Sequence, residues 1–161
     1  MTTALFRYEK DKVIQALRYH FISRPEIKLM LVLINVFAIA AAALYFFEKI
    51  TAAAFLISSV VWFFLMVLFW FILPRMVYRK AQTFQDEFRA HFNQEEFSIE
   101  NHLGGRSWPW ASMTTYMESP HFYHLYFNAR SFFIIPKDAF QNDDVHEARK
   151  ILNQKLKRSK L

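Results

Sequence analysis

The sequence predicts an α+β membrane protein, in which a two-helix transmembrane hairpin is joined to a small antiparallel β-sheet closed by a C-terminal helix. Two long runs without a charged residue, 29–47 and 50–73, are separated only by a Glu-Lys pair. From Glu96 onward the apolar residues recur at a period of two, which is typical of strands. Near the end of the chain, over 145–157, the apolar residues return to helical spacing.

The composition excludes several classes of protein. Of the 161 residues, 54% are hydrophobic and 21% are charged, a more apolar balance than that of a typical soluble domain. The absence of cysteine excludes disulfides, cysteine nucleophiles and cysteine metal ligands. Only two glycines occur, which argues against a glycine-rich phosphate loop. The net charge of +6 suits either nucleic acid or an anionic membrane surface, and its location decides between them.

The patterns divide the chain into three segments. Residues 1–28 carry a strand and an amphipathic helix, 29–73 the hairpin, and 74–161 a helix extension with the sheet domain. At 1.5 Å per residue the spans 29–47 and 50–73 reach roughly 28 Å and 36 Å, against about 30 Å of hydrocarbon. An antiparallel hairpin follows, because backbone polar groups in lipid must be satisfied within each span. A signal peptide is the rival interpretation of the first span, and the long, acid-containing segment before it disfavours this.

A helix start is predicted just before the first span. Ser23 and Glu26 have the spacing of a capping box, in which each side chain accepts from the other residue's backbone N–H. Pro25 falls in the first turn, where its missing N–H costs nothing. The helix over 10–22 is therefore predicted to be separate from the span.

Basic residues predict the orientation of the hairpin. They are frequent on both outer sides of the spans, whereas the connecting loop holds only Lys49. The positive-inside rule then predicts two spans in the cytoplasmic membrane with both termini in the cytoplasm. We expect a set of basic residues to contact the headgroups of an anionic leaflet. This set comprises Arg75, Arg79, Lys80, Lys155, Lys157, Arg158 and Lys160.

Residues within the spans predict how the two helices pack. Asn35 lies in the middle of the first span, where an amide usually bonds a neighbouring helix. Ala38, Ala42 and Ala53 belong to clusters of small residues that let helices approach closely, and the same seam is a candidate for self-association. Neither span contains an ionisable residue, which favours an anchor over a transporter.

The segments that flank the spans are predicted from their periodicity. Residues 4–9 alternate as in a short strand, and 10–22 have an amphipathic helical pattern. Pro74 is expected to kink the second helix at the membrane edge. Beyond it, apolar spacings of four and three predict a helical extension with three aromatic residues facing the sheet or lipid: Phe84, Phe88 and Phe92.

The C-terminal part predicts about four antiparallel strands. The alternating runs begin at Phe97, and two glycines at 104 and 105 supply a turn. Pro109 marks a strand end or an edge, because proline donates no ladder hydrogen bond. Further strands are predicted over 114–118, 122–127 and 131–135, with a hairpin turn over 128–131. Asp144 and Glu147 form a capping box for the final helix over 145–157.

Catalytic and metal-binding patterns are weak. The nearest histidines, His121 and His124, are three apart in a predicted strand and so point to opposite faces, without a carboxylate at ligand spacing. The common nucleophile, zinc and phosphate-loop motifs do not occur. We therefore expect no enzyme activity and no metal or cofactor. Nucleic acid is not expected either, because no basic-aromatic platform is present.

Four residues are the candidates for a binding surface: Trp108, Trp110, Lys137 and Phe140. The alternative is structural, with Trp110 in the core and Lys137 in a turn that leads the chain out of the sheet.

A series of short motifs gives this part of the chain a family resemblance. In order they are Gly105, Trp108-Pro109-Trp110, Tyr116-x-Glu118, Phe122 to Tyr126, and Ile134-Ile135-Pro136-Lys137-x-x-Phe140. Together with the two adjacent spans and the segment Phe6-Arg7-Tyr8, they resemble the YcxB-like family over nearly the whole chain. The resemblance implies a bacterial membrane protein with a C-terminal domain similar to pleckstrin-homology-like (PH-like) sheets. It implies no catalytic residues.

The expected function is that of a non-enzymatic, membrane-anchored interaction or scaffold module with an unidentified protein partner. A PH-like sheet offers strand edges and aromatic grooves to which a peptide can add as a strand. Two alternatives remain open at the level of sequence: a membrane immunity protein that neutralises a toxin, and an accessory subunit of a transporter.

Overall fold

The computed structural model describes residues 1–128, 131–141 and 144–159. These residues form two compact units. The first, the sheet unit, combines 1–16 with the part of the chain that follows residue 80, and the second, the helical unit, comprises 17–80. The sheet unit contains antiparallel sheets, and the helical unit contains two long apolar helices. The predicted α+β class is thereby confirmed.

The helical unit contains the end of helix α1, which spans Lys10–Ser23, and the hairpin that follows it. Helix α2 spans Pro25–Phe46, and α3 spans Ala52–Val67. A π-helical turn, Leu68–Ile72, joins α3 to α4, Leu73–Lys80, so that one helix runs over Ala52–Lys80. Both long helices are long and apolar enough to cross a membrane, and no residue in their most apolar stretches is fully buried.

The start of α2 differs from the predicted capping box. Arg24 is the N-cap and makes no side-chain capping bond, while Pro25 occupies the first turn as predicted. Ser23 is the last residue of α1, and its hydroxyl donates to the His20 carbonyl at 2.7 Å. The capping-box prediction was wrong because α1 extends to Ser23 and takes its hydroxyl to close its own last turn. The second helix does have a capping side chain, since the Thr51 Oγ1 accepts from the Ala54 N–H at 3.3 Å.

The interruption expected at Pro74 takes the form of the π-helical turn that precedes it. Proline has no N–H to donate to the carbonyl four residues earlier, which here belongs to Trp70. The Nε of Arg18 donates to that carbonyl at 3.0 Å. The Arg18 side chain thus supplies the Trp70 carbonyl with a hydrogen bond in place of the one that Pro74 cannot donate.

The sheet unit contains two four-stranded sheets among its described residues. The first has the order β1-β2-β3-β4 and the second β7-β6-β5-β8. All neighbouring strands are antiparallel except β5 and β8, which are parallel. The strand bounds are Phe6–Arg7 (β1), Glu87–Phe92 (β2), Glu96–Asn101 (β3), Gly104–Pro109 (β4), Thr115–Glu118 (β5), Phe122–Tyr126 (β6), Phe132–Pro136 (β7) and Lys157–Arg158 (β8).

The N-terminal segment belongs to the first sheet. Phe6 in β1 pairs with Phe88 in β2. Ahead of β1, the Thr3 N–H donates to the Ala90 carbonyl at 2.9 Å, and the Phe92 N–H donates to the Met1 carbonyl at 2.8 Å. The predicted strand over 4–9 is therefore shorter than expected, but its pairing continues along β2 to the first residue.

The predicted helical extension beyond Pro74 is wrong in its second half. The helix ends at Lys80, and Phe88 and Phe92 lie in strand β2. A spacing of four satisfies both the helical period and twice the strand period, so the aromatic spacing did not discriminate between them. The strand pattern is visible in the burial, because Phe88, Ala90 and Phe92 are buried while Glu87 and Arg89 are exposed.

The second sheet contains a strand, β8, that the prediction of about four strands did not include. The final helix α5, Asp144–Lys155, ends before Lys157, and Lys157 and Arg158 form β8 beside β5. The β3–β4 hairpin forms as predicted, but its turn lies at His102 and Leu103, and the two glycines begin β4 instead of forming the turn. Gly104 has a φ of 138°, a conformation that side chains rarely allow. The predicted turn over 128–131 includes residues 129 and 130, which lie outside the described residues.

The core of the sheet unit is aromatic and lies between the two sheets. Phe97 of β3 contacts Phe92 of β2 at 5.2 Å between ring centroids, and Phe133 of β7 at 6.2 Å. Helix α5 buries Ala148 and Leu152. The Tyr8 hydroxyl, which is buried, donates to the Ile134 carbonyl at 2.8 Å. Burial raises the pKa of that hydroxyl, so it stays protonated as a donor.

Candidate functional site

Two of the four predicted surface residues lie in the core. Trp110 is 5% exposed, and its Nε1 donates to the Asn93 carbonyl at 2.9 Å. Phe140 is 7% exposed and packs against Phe92 and Tyr123, at 5.5 Å and 6.0 Å between ring centroids. The structural alternative therefore describes Trp110, and Phe140, which that alternative did not name, lies in the core as well.

Trp108 is half-buried and belongs to an aromatic cluster that joins the two sheets. Its ring lies 5.1 Å from that of Phe133, 5.6 Å from that of Phe127 and 6.2 Å from that of Phe97. The Arg106 guanidinium lies 5.3 Å from the Trp108 ring centroid, within the range of a cation–π contact. One side of Trp108 thus packs on the core, and the other lies at the surface beside a cation.

Lys137 belongs to a charged cluster around Glu118, which we call the Glu118 cluster. The Lys137 Nζ lies 2.8 Å from the Glu118 Oε1. Arg149 donates to both carboxylate oxygens, from Nη2 to Oε1 at 2.7 Å and from Nε to Oε2 at 3.2 Å. The Arg158 Nη2 donates to Oε2 at 3.3 Å. One carboxylate therefore holds three cations.

The second sheet explains why these residues meet. Glu118 ends β5, and its register partner on β6 is Tyr123. Lys137 follows β7 on the other side of β6, and its Nζ lies 5.3 Å from the Tyr123 ring centroid as it reaches Glu118. Arg149 reaches the carboxylate from α5, and Arg158 from β8 on the far side of β5. The cluster therefore joins three strands and a helix.

The electrostatics of the cluster are dominated by the cations. Burial by itself would raise the pKa of the Glu118 carboxyl. The hydrogen bonds and charges of Arg149 and Lys137 outweigh burial and lower this pKa to about 2. Glu118 is thus ionised throughout the physiological range. Its side chain is 10% exposed, whereas that of Arg158 is 56% exposed.

Two tyrosines on the same sheet secure α5. The Tyr123 hydroxyl donates to the Val145 carbonyl at 2.9 Å, and burial raises its pKa to about 12. The Tyr116 hydroxyl donates to the Asn153 side-chain oxygen. These bonds hold α5 in the position from which Arg149 reaches Glu118.

Sequence reasoning named Lys137 but missed Arg149 and Arg158 as its neighbours. The motif Tyr116-x-Glu118 did mark the carboxylate, and Ile134 to Lys137 marked the first cation. Arg149 directly follows Ala148, which belongs to the buried face of α5. A charged residue next to that buried face was the signal that could have identified Arg149. Arg158 gave no such signal, because the two-residue strand that places it is too short to recognise.

The predicted headgroup contacts fall into two groups. Arg75, Arg79 and Lys80 lie on α4 of the helical unit, around a concavity of about 580 Å³. The other predicted contacts lie in the sheet unit, where Lys155 and Lys157 are exposed and Arg158 bonds Glu118. Lys160 lies outside the described residues.

Two of the four predicted helix-packing residues lie on the half-buried face of the hairpin, and the other two do not. Asn35 and Ala38 lie on the half-buried stripe of α2, and the Trp62 Nε1 of α3 lies 3.4 Å from the Asn35 Oδ1. Ala42 and Ala53 are exposed, so they lie off that stripe. The alanine seam is therefore shorter than predicted, because the helices meet along one face only. A groove of about 320 Å³ remains between them, lined in part by Ala38 and Trp62.

Part of the chain matches a known protein family. The model of the YcxB-like protein family matches residues 92–152. No curated protein and no solved structure matches the chain. The matched segment runs from the end of β2 into α5, and it contains three of the four members of the Glu118 cluster: Glu118, Lys137 and Arg149. This match agrees with the family resemblance that the motifs from Gly105 to Phe140 indicated, but it covers 61 of the 161 residues, whereas the predicted resemblance ran over nearly the whole chain.

Proposed function

We propose that this protein is a non-enzymatic interaction module, anchored in the cytoplasmic membrane by its helical hairpin and carrying a cytoplasmic PH-like unit that binds an acidic segment of a protein partner. The observation that carries the anchor is the exposure of the hairpin. Two helices of 22 and 29 residues leave their most apolar stretches unburied. Exposed apolar surface on that scale costs free energy in water, and a bilayer removes the cost.

The Glu118 cluster supports the choice of an acidic partner. Three cations surround one carboxylate, so the cluster retains positive charge after its internal pairing. Arg158 is the most exposed of the three and is available to a second carboxylate. The two sheets with a closing C-terminal helix are in keeping with a PH-like arrangement.

The anchor and its orientation are tested by cysteine labelling, since the chain contains no cysteine that would add background. Lys49→Cys places a thiol in the loop between the long helices, and Ser107→Cys places one on the exposed β4. In intact spheroplasts a membrane-impermeant maleimide is expected to label position 49 but not 107. After lysis it labels both. Labelling of position 107 in intact spheroplasts would overturn the orientation, and carbonate extraction of the chain from membranes would overturn the anchor.

The partner surface is tested by crosslinking in cells. A photoreactive amino acid replaces Lys157, next to Arg158, in the full chain, and adducts are identified by mass spectrometry. Arg158→Glu is expected to lower the yield of a specific adduct at least tenfold, because it replaces attraction by repulsion toward an acidic segment. Lys155→Glu, at an exposed position of α5, is the matched control, and it should leave the yield nearly unchanged. Equal loss in both variants, or a partner contact without acidic residues, would contradict the proposal.

A further inference from the structure

The concavity on α4 has two kinds of lining, arranged in two rows of one helix. Phe71, Arg75 and Arg79 follow each other at a spacing of four, and so do Ile72, Met76 and Lys80. Residues four apart lie on one helical face, so each row begins apolar and ends basic. The concavity therefore changes from apolar to cationic along the helix axis, over about 580 Å³.

The cationic end has no acidic ion-pair partner within the part of the chain that the structure describes. Among the ion pairs of the described residues, none includes Arg75, Arg79 or Lys80. This distinguishes the concavity, which we call the α4 groove, from the Glu118 cluster, where all three cations share an internal carboxylate. Three unpaired cations within two helical turns repel one another, and a bound anion would relieve that repulsion.

The apolar end is held in place by aromatic contacts. The Phe71 ring lies 5.4 Å from the Arg18 guanidinium and 5.9 Å from that of Arg75. Arg18 is fixed by its bond to the Trp70 carbonyl, at the π-helical turn before Pro74. The groove thus begins at a backbone feature with defined geometry and is more than a set of mobile basic side chains.

We propose that the α4 groove binds one anionic phospholipid. Its phosphate lies among Arg75, Arg79 and Lys80, and the start of an acyl chain lies along Phe71, Ile72 and Met76. Guanidinium groups suit phosphate because they offer paired donors. The apolar half of the lining suits a lipid better than a free phosphate ion. This inference rests on the proposed membrane anchor, and it adds a defined lipid site to it.

The test uses the full chain in nanodiscs of phosphatidylcholine with a minor fraction of phosphatidylglycerol. Native mass spectrometry then measures how many phosphatidylglycerol molecules each chain retains. The groove variant carries Arg75→Gln, Arg79→Gln and Lys80→Gln together. Its dissociation constant for phosphatidylglycerol is expected to rise roughly 100-fold, because each basic group near anionic headgroups contributes about fivefold. Circular dichroism confirms that the variant keeps its helices.

A matched variant has the same change of charge elsewhere. It carries Arg7→Gln, Lys10→Gln and Lys150→Gln at exposed positions of the sheet unit, and it should retain phosphatidylglycerol as the unchanged chain does. Equal loss from both variants would reduce the effect to net charge and overturn the site. Competition by soluble glycerol 3-phosphate would identify a phosphate site without a lipid requirement, which also overturns it. Entry of all the variants into nanodiscs separates failure of the site from failure of the anchor.

Discussion

Phe97→Ala is expected to lower the free energy of unfolding of the sheet unit by about 3–5 kcal/mol. Phe97 is fully buried and contacts rings from both sheets, including Phe92 and Phe133. Its truncation removes part of the contact between the sheets and leaves a cavity that rigid strands fill poorly. Denaturant unfolding of the purified chain in micelles, followed by near-ultraviolet circular dichroism, measures the loss.

Phe127→Ala is the matched control. Phe127 is a half-buried member of the same aromatic cluster, with its ring 5.6 Å from Trp108. Its truncation is expected to cost about 1–2 kcal/mol. The helical signal of the hairpin should persist in both variants at denaturant concentrations that unfold the sheet unit. Similar losses from the two substitutions would show that Phe97 does not join the sheets.

Glu118→Gln is expected to lower the free energy of unfolding by about 2–3 kcal/mol at neutral pH. The substitution leaves Lys137, Arg149 and Arg158 close together without their shared anion. The pH dependence gives a second signature. Because folding lowers the pKa of this carboxyl from 4.5 to about 2, its stabilising effect is present above pH 4.5 and is lost as the pH falls toward 2.

As the pH falls from 4.5 toward 2, the free energy of unfolding of the Glu118→Gln variant should therefore decrease less than that of the unchanged chain. Thermal unfolding between about pH 2 and pH 5 measures the two slopes. Glu147→Gln on α5 is the control, because Glu147 is exposed and lies outside the cluster. A variant whose pH slope matches that of the unchanged chain would show that Glu118 is not the group that couples folding to protonation.

The hairpin and the strands from β3 to β7 were predictable because each has a strong local pattern. Long uncharged runs identify apolar helices, and alternation between turn residues identifies strands. Strand β2 was not predictable in the same way, since Phe84, Phe88 and Phe92 fit a helical period equally well. The strand is stabilised by pairing partners outside the segment itself, since β2 pairs with β3 on one side and with β1, from the start of the chain, on the other.

The candidate site was predicted only in part, because some of its residues belong to local motifs and others are brought in by distant elements. The family motifs include Glu118 and Lys137, and the structure joins them in an ion pair across strand β6. The spacing of the motifs therefore reflects the register of the second sheet. Arg149 and Arg158 depend on how α5 and β8 dock, which no local pattern encodes. Trp110 and Phe140 were named for their residue type, and burial removes them from any surface.

The pairing of β1 with β2 also fixes an order of events during synthesis. Phe6 can pair with Phe88 only after Phe88 has been translated, and the whole hairpin is translated between these two residues. At ribosomal rates of about 5–20 residues per second, the delay is roughly 4–16 s. Helices form within microseconds, so the hairpin is complete long before the first sheet acquires its edge strand. The nascent N-terminal strand therefore stays unpaired throughout that interval, and this is the period in which a chaperone or a competing strand has access to it.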